Sequence, residues 1–338
     1  MSCTTFMTSQ KNSQSKSSDS ISNSHDPVMV DEIVECFATV PTGVVVDATF
    51  GLGGHSKAIL KAHPSLQILG LDQDAFAVAN AQKMIVEDPS VHGRLTIRRA
   101  RFDSLNQVLA ELSIDQISGA LFDLGVSSPQ LDIAERGFSY RNDGPLDMRM
   151  DQRGEVSAAD VVNTYEESEL AHLIASNADE RFARRIARAI VAARPINTTI
   201  HLAEIIVSAI PAPARRTGGH PAKRTFQAIR IEVNKELEIL AQALQTAIDA
   251  TKVGGRVAVL TYHSGENRIV KQVFRSAEND TDEPIIGSPF VHESQLGQRR
   301  GRRVRISQHP SDKEQSENRR AKSARLRVIE KTFVGAVG

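Results

Sequence analysis

A glycine-rich turn between a predicted strand and a predicted helix is the segment of this 338-residue chain best suited to hold a ligand. Gly51, Gly53 and Gly54 follow the apolar run 44–46 and precede a helical pattern that begins at Ser56. Glycine lets the backbone approach a ligand closely because no Cβ intrudes. The dinucleotide fingerprint G-x-G-x-x-G requires a third glycine where Ser56 stands. The turn therefore predicts a nucleotide-type site without defining its ligand.

Two carboxylates extend this candidate site. Asp47 closes the first predicted strand, and Asp72 follows the next apolar run, 68–71. A carboxylate at the end of the second strand can accept hydrogen bonds from the hydroxyls of a ribose. Such an arrangement suits S-adenosylmethionine at least as well as NAD. From these residues alone, a methyl-transfer enzyme, a dehydrogenase and a purely structural turn all stay open.

The composition favours some classes of protein over others. With 40% hydrophobic residues the chain can bury a core, and no apolar run approaches the roughly 18 residues of a membrane span. Two cysteines, Cys3 and Cys36, give neither a disulfide framework nor a metal-binding pair, and the ten histidines show no ligand spacing. We therefore expect a cytoplasmic protein without a metal site. Residues 1–24 predict a disordered tail rather than a transit peptide, because they contain no arginine.

Alternating strand and helix patterns predict an α/β fold with a parallel sheet that is covered on both faces. The expected strands are 44–47, 67–71, 95–99 and 117–123, and the expected helices are 27–37, 55–62, 74–84 and 103–111. In such a sheet, ligands bind beyond the carboxyl ends of the strands. Four side chains fall at or just past those ends, and we expect them to meet there: Asp47, Asp72, Phe102 and Asp123.

The strand pattern is interrupted from 132 to 230, which predicts a helical insertion between two strands of the sheet. A long helix, 225–250, and a strand, 256–261, return the chain to the sheet. Alternating polarity over 324–331 predicts a half-buried strand at an edge. Residues 280–320 are polar and basic, and they predict a loop.

The zero net charge conceals two basic blocks. Residues 181–230 hold ten Lys or Arg and one acid, and 299–327 hold eleven and three, whereas 143–180 hold ten acids and two arginines. Such blocks in a neutral protein predict a polyanionic partner, with solvated helix faces as the alternative. The clearest example is a predicted helix, 181–190, that is apolar on one face and basic on the other. Its basic face carries Arg181, Arg184, Arg185 and Arg188.

A long run after the fourth predicted strand matches a known family. It comprises Asp123-Leu124-Gly125-Val126-Ser127-Ser128-Pro129-Gln130, Glu135-Arg136-Gly137-Phe138-Ser139-Tyr140 and Asp143-Gly144-Pro145-Leu146-Asp147-Met148-Arg149-Met150. These motifs closely resemble those of the MraW family, bacterial methyltransferases that modify the exocyclic N4 of a decoding-site cytidine in 16S ribosomal RNA. The resemblance extends from His25 to Arg327 and includes the run 220–228, with Lys223 and Arg224.

The resemblance implies a class I methyltransferase (Rossmann-like) sheet, 25–131 and 231–338, that binds S-adenosylmethionine. It also implies that 132–230 is a helical domain that recognises the substrate, 16S rRNA or the small ribosomal subunit. Carried over position by position, the implied cofactor contacts are Gly53, Gly54, His55, Asp72, Phe102, Asp123 and Gln130. The implied RNA contacts are the four arginines of the basic helix together with Lys223 and Arg224. Whether the chain is a monomer or a homodimer stays open.

Methylation of a cytosine amine restricts the candidate catalytic groups. The N4 lone pair is delocalised into the ring, so the enzyme must hold N4 about 3–3.5 Å from the methyl group and accept its proton. Asp123, or a backbone carbonyl near Ser127, is the predicted acceptor; the alternatives are an anchoring role for Asp123 and a turn hydrogen bond for Ser127. His263 is a further candidate, with a structural role as its alternative. It lies in Tyr262-His263-Ser264-Gly265-Glu266-Asn267-Arg268, where the family commonly shows F-H-S-L-E-D-R.

Other functional classes also remain open from the sequence. The same cofactor site could serve a methyltransferase that acts on another nucleic acid or on a protein. A non-catalytic RNA-binding factor could be built on the same sheet. Transfer of a labelled methyl group would separate the enzymes from the binding factor, and binding tests with NAD would address the dehydrogenase.

Overall fold

The computed structural model describes residues 27–216, 219–279, 300–318 and 320–332. The predicted disordered tail, 1–24, and the first part of the predicted loop, 280–299, lie outside these residues. The strands are β1 Gly43–Asp47, β2 Leu66–Asp72, β3 Leu95–Arg99, β4 Ile117–Asp123, β5 Thr251–Thr261, β6 Gly301–Arg303 and β7 Arg325–Lys331. The helices of the first half are α1 Val30–Cys36, α2 Gly54–Ala62, α3 Ala75–Glu87, α4 Leu105–Glu111, α5 Ser128–Asp132 and α6 Ala158–Thr164. Those of the second half are α7 Glu167–Ala178, α8 Ala183–Ala192, α9 Thr199–Ala209, α10 Lys223–Asn234, α11 Glu236–Ala250, α12 Ser264–Asn279 and α13 Asp312–Glu317.

Within the described residues, seven strands form one sheet in the order β3-β2-β1-β4-β5-β7-β6. Neighbours from β3 to β5 pair in parallel, whereas β7 runs antiparallel to both β5 and β6. The central strands consist mainly of apolar residues that are buried on both faces, which suits a parallel sheet between two layers of helices. The strand order reverses between β1 and β4, and such a switch point opens a crevice at the carboxyl ends of the strands.

Helices cover both faces of the sheet. On one face, α1, α2 and α3 pack through apolar side chains such as Ile33, Ile59 and Ala81. On the other face, α4, α11 and α12 pack through residues such as Leu105 and Leu244. A separate apolar cluster extends from Phe138 to Ile229 and holds helices α6 to α10 together. The expected three-layer α/β fold with a helical segment between β4 and β5 is confirmed.

The predicted single helix 225–250 is wrong, because the chain breaks it at Lys235. This residue has a left-handed φ of 54°, so α10 ends at Asn234 and α11 begins at Glu236. The side-chain oxygen of Asn234 accepts from the N–H of Met150 (2.8 Å), and its amide donates to the carbonyl of Met148 (2.8 Å). The break lets Asn234 connect α10 to this distant segment. Lysine carries no sequence signal for such a turn.

Smaller differences concern the ends of elements. The predicted edge strand at 324–331 is β7, which is not an edge, because the three-residue strand β6 pairs along its outer side. The described part of the predicted loop 280–320 contains both β6 and α13. Helix α8 begins at Ala183, so Arg181 precedes the helix that was predicted to contain it. Among the described helices, none combines the length and the apolarity that crossing a membrane requires.

Candidate active site

A cleft of about 700 Å³, including its open mouth, lies at the switch point between β1 and β4. The two strand ends are tied together there, because the backbone N–H of Asp123 donates to Oγ1 of Thr49 at 2.6 Å. The sequence-predicted residues in its lining are Asp72, Phe102, Asp123, Ser127 and Gln130. Of the four strand-end residues that were expected to meet, three therefore line one cleft.

The glycine turn contributes to this cleft through Gly51 rather than through its later glycines. Gly51 lines the cleft at a left-handed φ of 55°, and a Cβ there would meet only open space and one carbonyl oxygen at 3.9 Å. A Cβ on Gly53 would lie 2.5 Å from the ring of Phe50, and one on Gly54 would lie 2.3 Å from Pro27. Packing thus explains Gly53 and Gly54 without a ligand.

Asp47 is the fourth strand-end carboxylate, and it lies behind the cleft. Its side chain is 2% exposed and accepts a hydrogen bond from the hydroxyl of Ser56 at 2.6 Å. Burial is the main cause that raises the pKa of Asp47, and the Ser56 hydrogen bond opposes it. Ser56, which occupies the third glycine position of the dinucleotide fingerprint, therefore holds the end of β1 to helix α2.

Asp72 is positioned for a ligand that donates hydrogen bonds. Its Oδ2 accepts from the N–H of Gly51 and its Oδ1 from the N–H of Asp74, both at 2.8 Å. These two bonds fix the carboxylate plane and leave each oxygen with a further lone pair toward the cleft. Burial raises the pKa of Asp72 to about 6, against the effect of the two amide hydrogen bonds.

Asp123 lies at the end of β4 and is held from two sides. The hydroxyl of Tyr262 donates to its Oδ1 at 2.7 Å, and Nδ1 of His55 lies 3.7 Å from its Oδ2. The other ring nitrogen of His55 lies 2.8 Å from the carbonyl of Val28, which can only accept, so that nitrogen carries a proton. Burial raises the pKa of Asp123, whereas His55, Tyr262 and the cationic Arg320 lower it.

Gln130 connects the cleft to a buried ion pair. Its amide donates to Oδ2 of Asp74 at 3.0 Å, and its oxygen accepts from the N–H of Ser127 at 3.0 Å. The same oxygen of Asp74 lies 2.8 Å from a nitrogen of Arg136, which is 8% exposed. Ser127 thereby presents its backbone to the cleft in a fixed orientation. The side chain of Gln130 has a structural task as well as a place in the lining.

The opposite wall contains polar residues that the sequence did not single out. Asn234, Glu236 and Glu266 line the cleft from α10, α11 and α12. The guanidinium of Arg230 donates to both oxygens of Glu236, at 2.8 and 3.0 Å. Burial raises the pKa of Glu236, and Arg230 opposes the rise. Polar residues in amphipathic helices are common, so no local pattern distinguishes these three.

His263 lies behind this wall and is not part of the lining. Its Nε2 is 3.0 Å from Oε1 of Glu266, and its Nδ1 accepts from the backbone N–H of Glu266 at 3.4 Å. The other oxygen of Glu266 accepts from the N–H groups of Tyr262 and His263. Gly265, which stands where the family commonly has leucine, lies in the first turn of α12.

The predicted RNA contacts lie on the surface of the segment between β4 and β5. Arg184, Arg185 and Arg188 are exposed on α8, while the opposite side of α8 is buried in the apolar cluster. Arg188 lies 3.5 Å from the partly exposed Glu167. Arg181 is exposed and covers the ring of Phe182 at 4.7 Å. Lys223 and Arg224 are exposed at the start of α10.

The cleft fits S-adenosylmethionine by its chemistry. Asp72 can accept from ribose hydroxyls, and the Phe102 ring, packed edge-on against Phe122 at 5.8 Å, gives an apolar wall for an adenine. Carboxylates at Asp123, Glu236 and Glu266 suit the cationic end of the molecule. Gly53, Gly54 and His55 lie outside the lining, so their predicted cofactor contacts receive no support from this geometry.

The sheet order, the antiparallel β7 and the cleft at the switch point define a class I methyltransferase, whose methyl donor is S-adenosylmethionine. Residues 22–332 match the MraW methylase family, and the chain belongs to that family. The resemblance found in the sequence is thereby confirmed.

Several curated relatives carry the name ribosomal RNA small subunit methyltransferase H. The protein from Thermobifida fusca is 47% identical over 317 residues, which cover 91% of this chain and 93% of the relative. The protein from Nocardioides sp. is 47% identical over 321 residues, covering 93% and 98%. The protein from Lachnospira eligens is 45% identical over 313 residues, covering 91% and 97%. The similarity therefore covers both the sheet and the helical segment.

Proposed function

We propose that this protein transfers the methyl group of S-adenosylmethionine to the exocyclic N4 of a decoding-site cytidine in 16S rRNA, in the cytoplasm. Membership of the MraW methylase family supports the reaction type, and the names of the relatives support the substrate. The catalytic role of Asp123 is supported by its position in the cleft lining at the switch point, where the Tyr262 hydroxyl holds its carboxylate.

The cofactor, when bound, supplies an electrophilic methyl group on a sulfonium. In the proposal, Asp72 accepts hydrogen bonds from the ribose, and Phe102 packs against the adenine. The cleft wall at Asp123, Glu236 and Glu266 then surrounds the sulfonium end. This placement leaves the end of β4 beside the reacting centre.

Asp123 is proposed to accept a hydrogen bond from the N4 amine and to take its proton as positive charge develops on nitrogen. Its Oδ1 is occupied by the Tyr262 hydroxyl, whereas Oδ2 has only the more distant His55. Oδ2 is therefore the acceptor in the proposal. Burial raises the pKa of Tyr262 well above its usual value, so the phenol stays protonated and keeps donating.

Ser127 and His263 have supporting roles in this proposal. The backbone at Ser127 lines the cleft and can accept the second amine hydrogen through a carbonyl, because Gln130 fixes the turn. His263 contacts Glu266 rather than the cleft, so we assign it the positioning of that carboxylate.

RNA is proposed to lie across the helical segment. The exposed cations are Arg181, Arg184, Arg185, Arg188, Lys223 and Arg224. Such a group of exposed cations suits the negative charge of a phosphate backbone, which supplies much of the affinity in nucleic-acid binding.

Mass spectrometry of rRNA from cells with and without the gene tests the proposal. We expect one cytidine methylated on N4 in the presence of the protein and unmodified in its absence. With purified protein and saturating cofactor, Asp123→Ala should lose turnover, while Asp123→Asn, which keeps an acceptor oxygen, separates positioning from proton acceptance. A methyl group on carbon 5 or on the ribose, or no modified cytidine, would contradict the proposed function.

A further inference from the structure

A second basic surface lies outside the helical segment, on helix α12 of the methyltransferase sheet. Arg268, Lys271 and Arg275 are exposed and recur at intervals of three and four residues, so they share one face of the helix. The face opposite is apolar and packs into the core through Val270, Val273 and other side chains. From Arg268 to Arg275 the stripe is about 10 Å long, at 1.5 Å per residue.

These three cations have no acidic partner among the residues that the structure describes, because none of the ion pairs there includes them. Most other arginines near the cleft are neutralised: Arg101 by Asp103, and Arg149 by Asp147. An exposed helix face that serves only solubility normally mixes both signs. The acid that continues the same spacing is Glu278, and it is already paired with Arg303, so it does not balance these three cations.

Strand β7 extends the same surface. Arg325 and Arg327 point to one face of the sheet, and Nε of Arg327 donates to Oδ1 of Asn267 on α12 at 2.8 Å. Asn267 is neutral, so this hydrogen bond does not balance the charge of Arg327. Burial, together with the nearby Arg303 and Arg325, lowers the pKa of Arg327. Arg325 and Arg327 therefore add positive charge beside the stripe, whereas Arg303 is paired with Glu278.

The surface joins the proposed RNA-binding residues at Asp179. The hydroxyl of Ser264, the first residue of α12, donates to Oδ2 of Asp179 at 2.5 Å. The guanidinium of Arg224 donates to the carbonyl of the same residue at 3.0 Å. Arg181 follows two positions later in the chain. Arg268 lies one helical turn beyond Ser264, so the two sets of cations adjoin near Asp179, and Glu266, two positions after Ser264, lines the cleft.

We propose that the α12 stripe, Arg268, Lys271 and Arg275, binds the phosphate backbone of the substrate RNA on the methyltransferase side of the cleft. This inference rests on the proposed function for the identity of the RNA. It adds that the RNA crosses the cleft mouth and contacts both the helical segment and the sheet domain. The target nucleotide is then held from both sides, which restricts its position relative to Asp123.

Fluorescence anisotropy tests this with a labelled RNA that contains the small-subunit decoding site. The variant is Arg268→Gln, Lys271→Gln, Arg275→Gln, titrated at several salt concentrations. The matched control is Lys57→Gln, Lys61→Gln, Lys83→Gln, which removes three exposed cations from α2 and α3 on the opposite face of the sheet. Thermal melting and calorimetric titration of S-adenosylmethionine verify that fold and cofactor site are retained.

For the α12 variant we expect weaker RNA binding and a slope of log Kd against log salt that falls by about 0.7 for each phosphate no longer neutralised, or about 2 in total. The control should keep the wild-type slope. Equal slopes for both variants would overturn the inference and leave the proposed function standing. Loss of binding to assembled subunits but not to naked RNA would overturn it too, because a protein would then be the partner. If the wild-type protein binds neither the RNA nor assembled small subunits, that result would instead contradict the proposed function itself.

Discussion

Replacing Asp72 with Asn changes the residue of the cleft that is best placed to bind the ribose of the cofactor. The Asp72 carboxylate uses one lone pair of each oxygen for a backbone N–H, of Gly51 and of Asp74. An asparagine keeps one of these bonds and directs an NH₂ group at the other N–H. It also removes the charge that makes the carboxylate a strong acceptor for ribose hydroxyls.

The expected loss of affinity follows from hydrogen bonds to a charged group, which contribute about 1.5–3 kcal/mol. We therefore expect Asp72→Asn to weaken S-adenosylmethionine binding about ten- to hundredfold at pH 7. The wild type should also show a pH dependence. Because burial raises the pKa of Asp72 to about 6, the ionised acceptor is complete above that pH and is lost as the pH falls through it. At pH 5 about one molecule in eleven keeps the carboxylate, so affinity should be about tenfold lower than at pH 7.

Isothermal titration calorimetry between pH 5 and pH 7 measures both effects. Asp123 and Glu236 also line the cleft and have raised pKa values, so Asp72→Asn should remove about one log unit of the pH dependence rather than all of it. Asp115→Asn, an exposed carboxylate outside the cleft lining, is the control and should behave as the wild type. A folded Asp72→Asn protein with unchanged affinity and unchanged pH dependence would refute the reasoning.

Three further predictions concern the basic surface of α8, the buried Cys36 and the hydrogen bonds of Asn234. Replacing Arg184, Arg185 and Arg188 with Gln should lower the salt slope of RNA binding by about 0.7–0.9 for each phosphate no longer neutralised, with cofactor affinity unchanged; an unaltered slope would mean a merely solvated face. Cys36 is fully buried and burial raises its pKa to about 12, so Cys36→Ser should keep full turnover in a methyl-transfer assay, and lost turnover in a folded variant would contradict this. Asn234→Ala should lower the free energy of unfolding, measured in urea, by about 2–4 kcal/mol, because it leaves two buried backbone groups without a hydrogen-bond partner. A decrease below about 1 kcal/mol would show that water replaces these bonds.

The amino-acid sequence by itself determined the sheet and the edge of the sheet at which a ligand binds. Short apolar runs separated by helical patterns specify parallel strands between two helical layers, since only buried strands can be apolar on both faces. The carboxyl ends of parallel strands lie at one edge, so Asp72, Phe102 and Asp123 could be assigned to one cleft before their positions were known. Long motifs shared with a family defined the reaction class. These inferences depend on local patterns and on a general rule of topology.

Tertiary structure alone decided which further groups complete the cleft. Tyr262 and Asp123 are 139 positions apart, and Asn234 and Met150 are 84 apart, yet each pair is hydrogen-bonded. The turn at Lys235, which brings Glu236 to the cleft, has no local sequence signal; the neighbouring Asn234 is held by its hydrogen bonds to the distant Met148 and Met150. At Gly53 and Gly54 the sequence suggested a ligand contact, but the structure shows that a Cβ there would clash with Phe50 and Pro27. Hydrophobic periodicity indicates which face of a helix or strand is buried. Which residues that face contacts depends on how all the elements pack together.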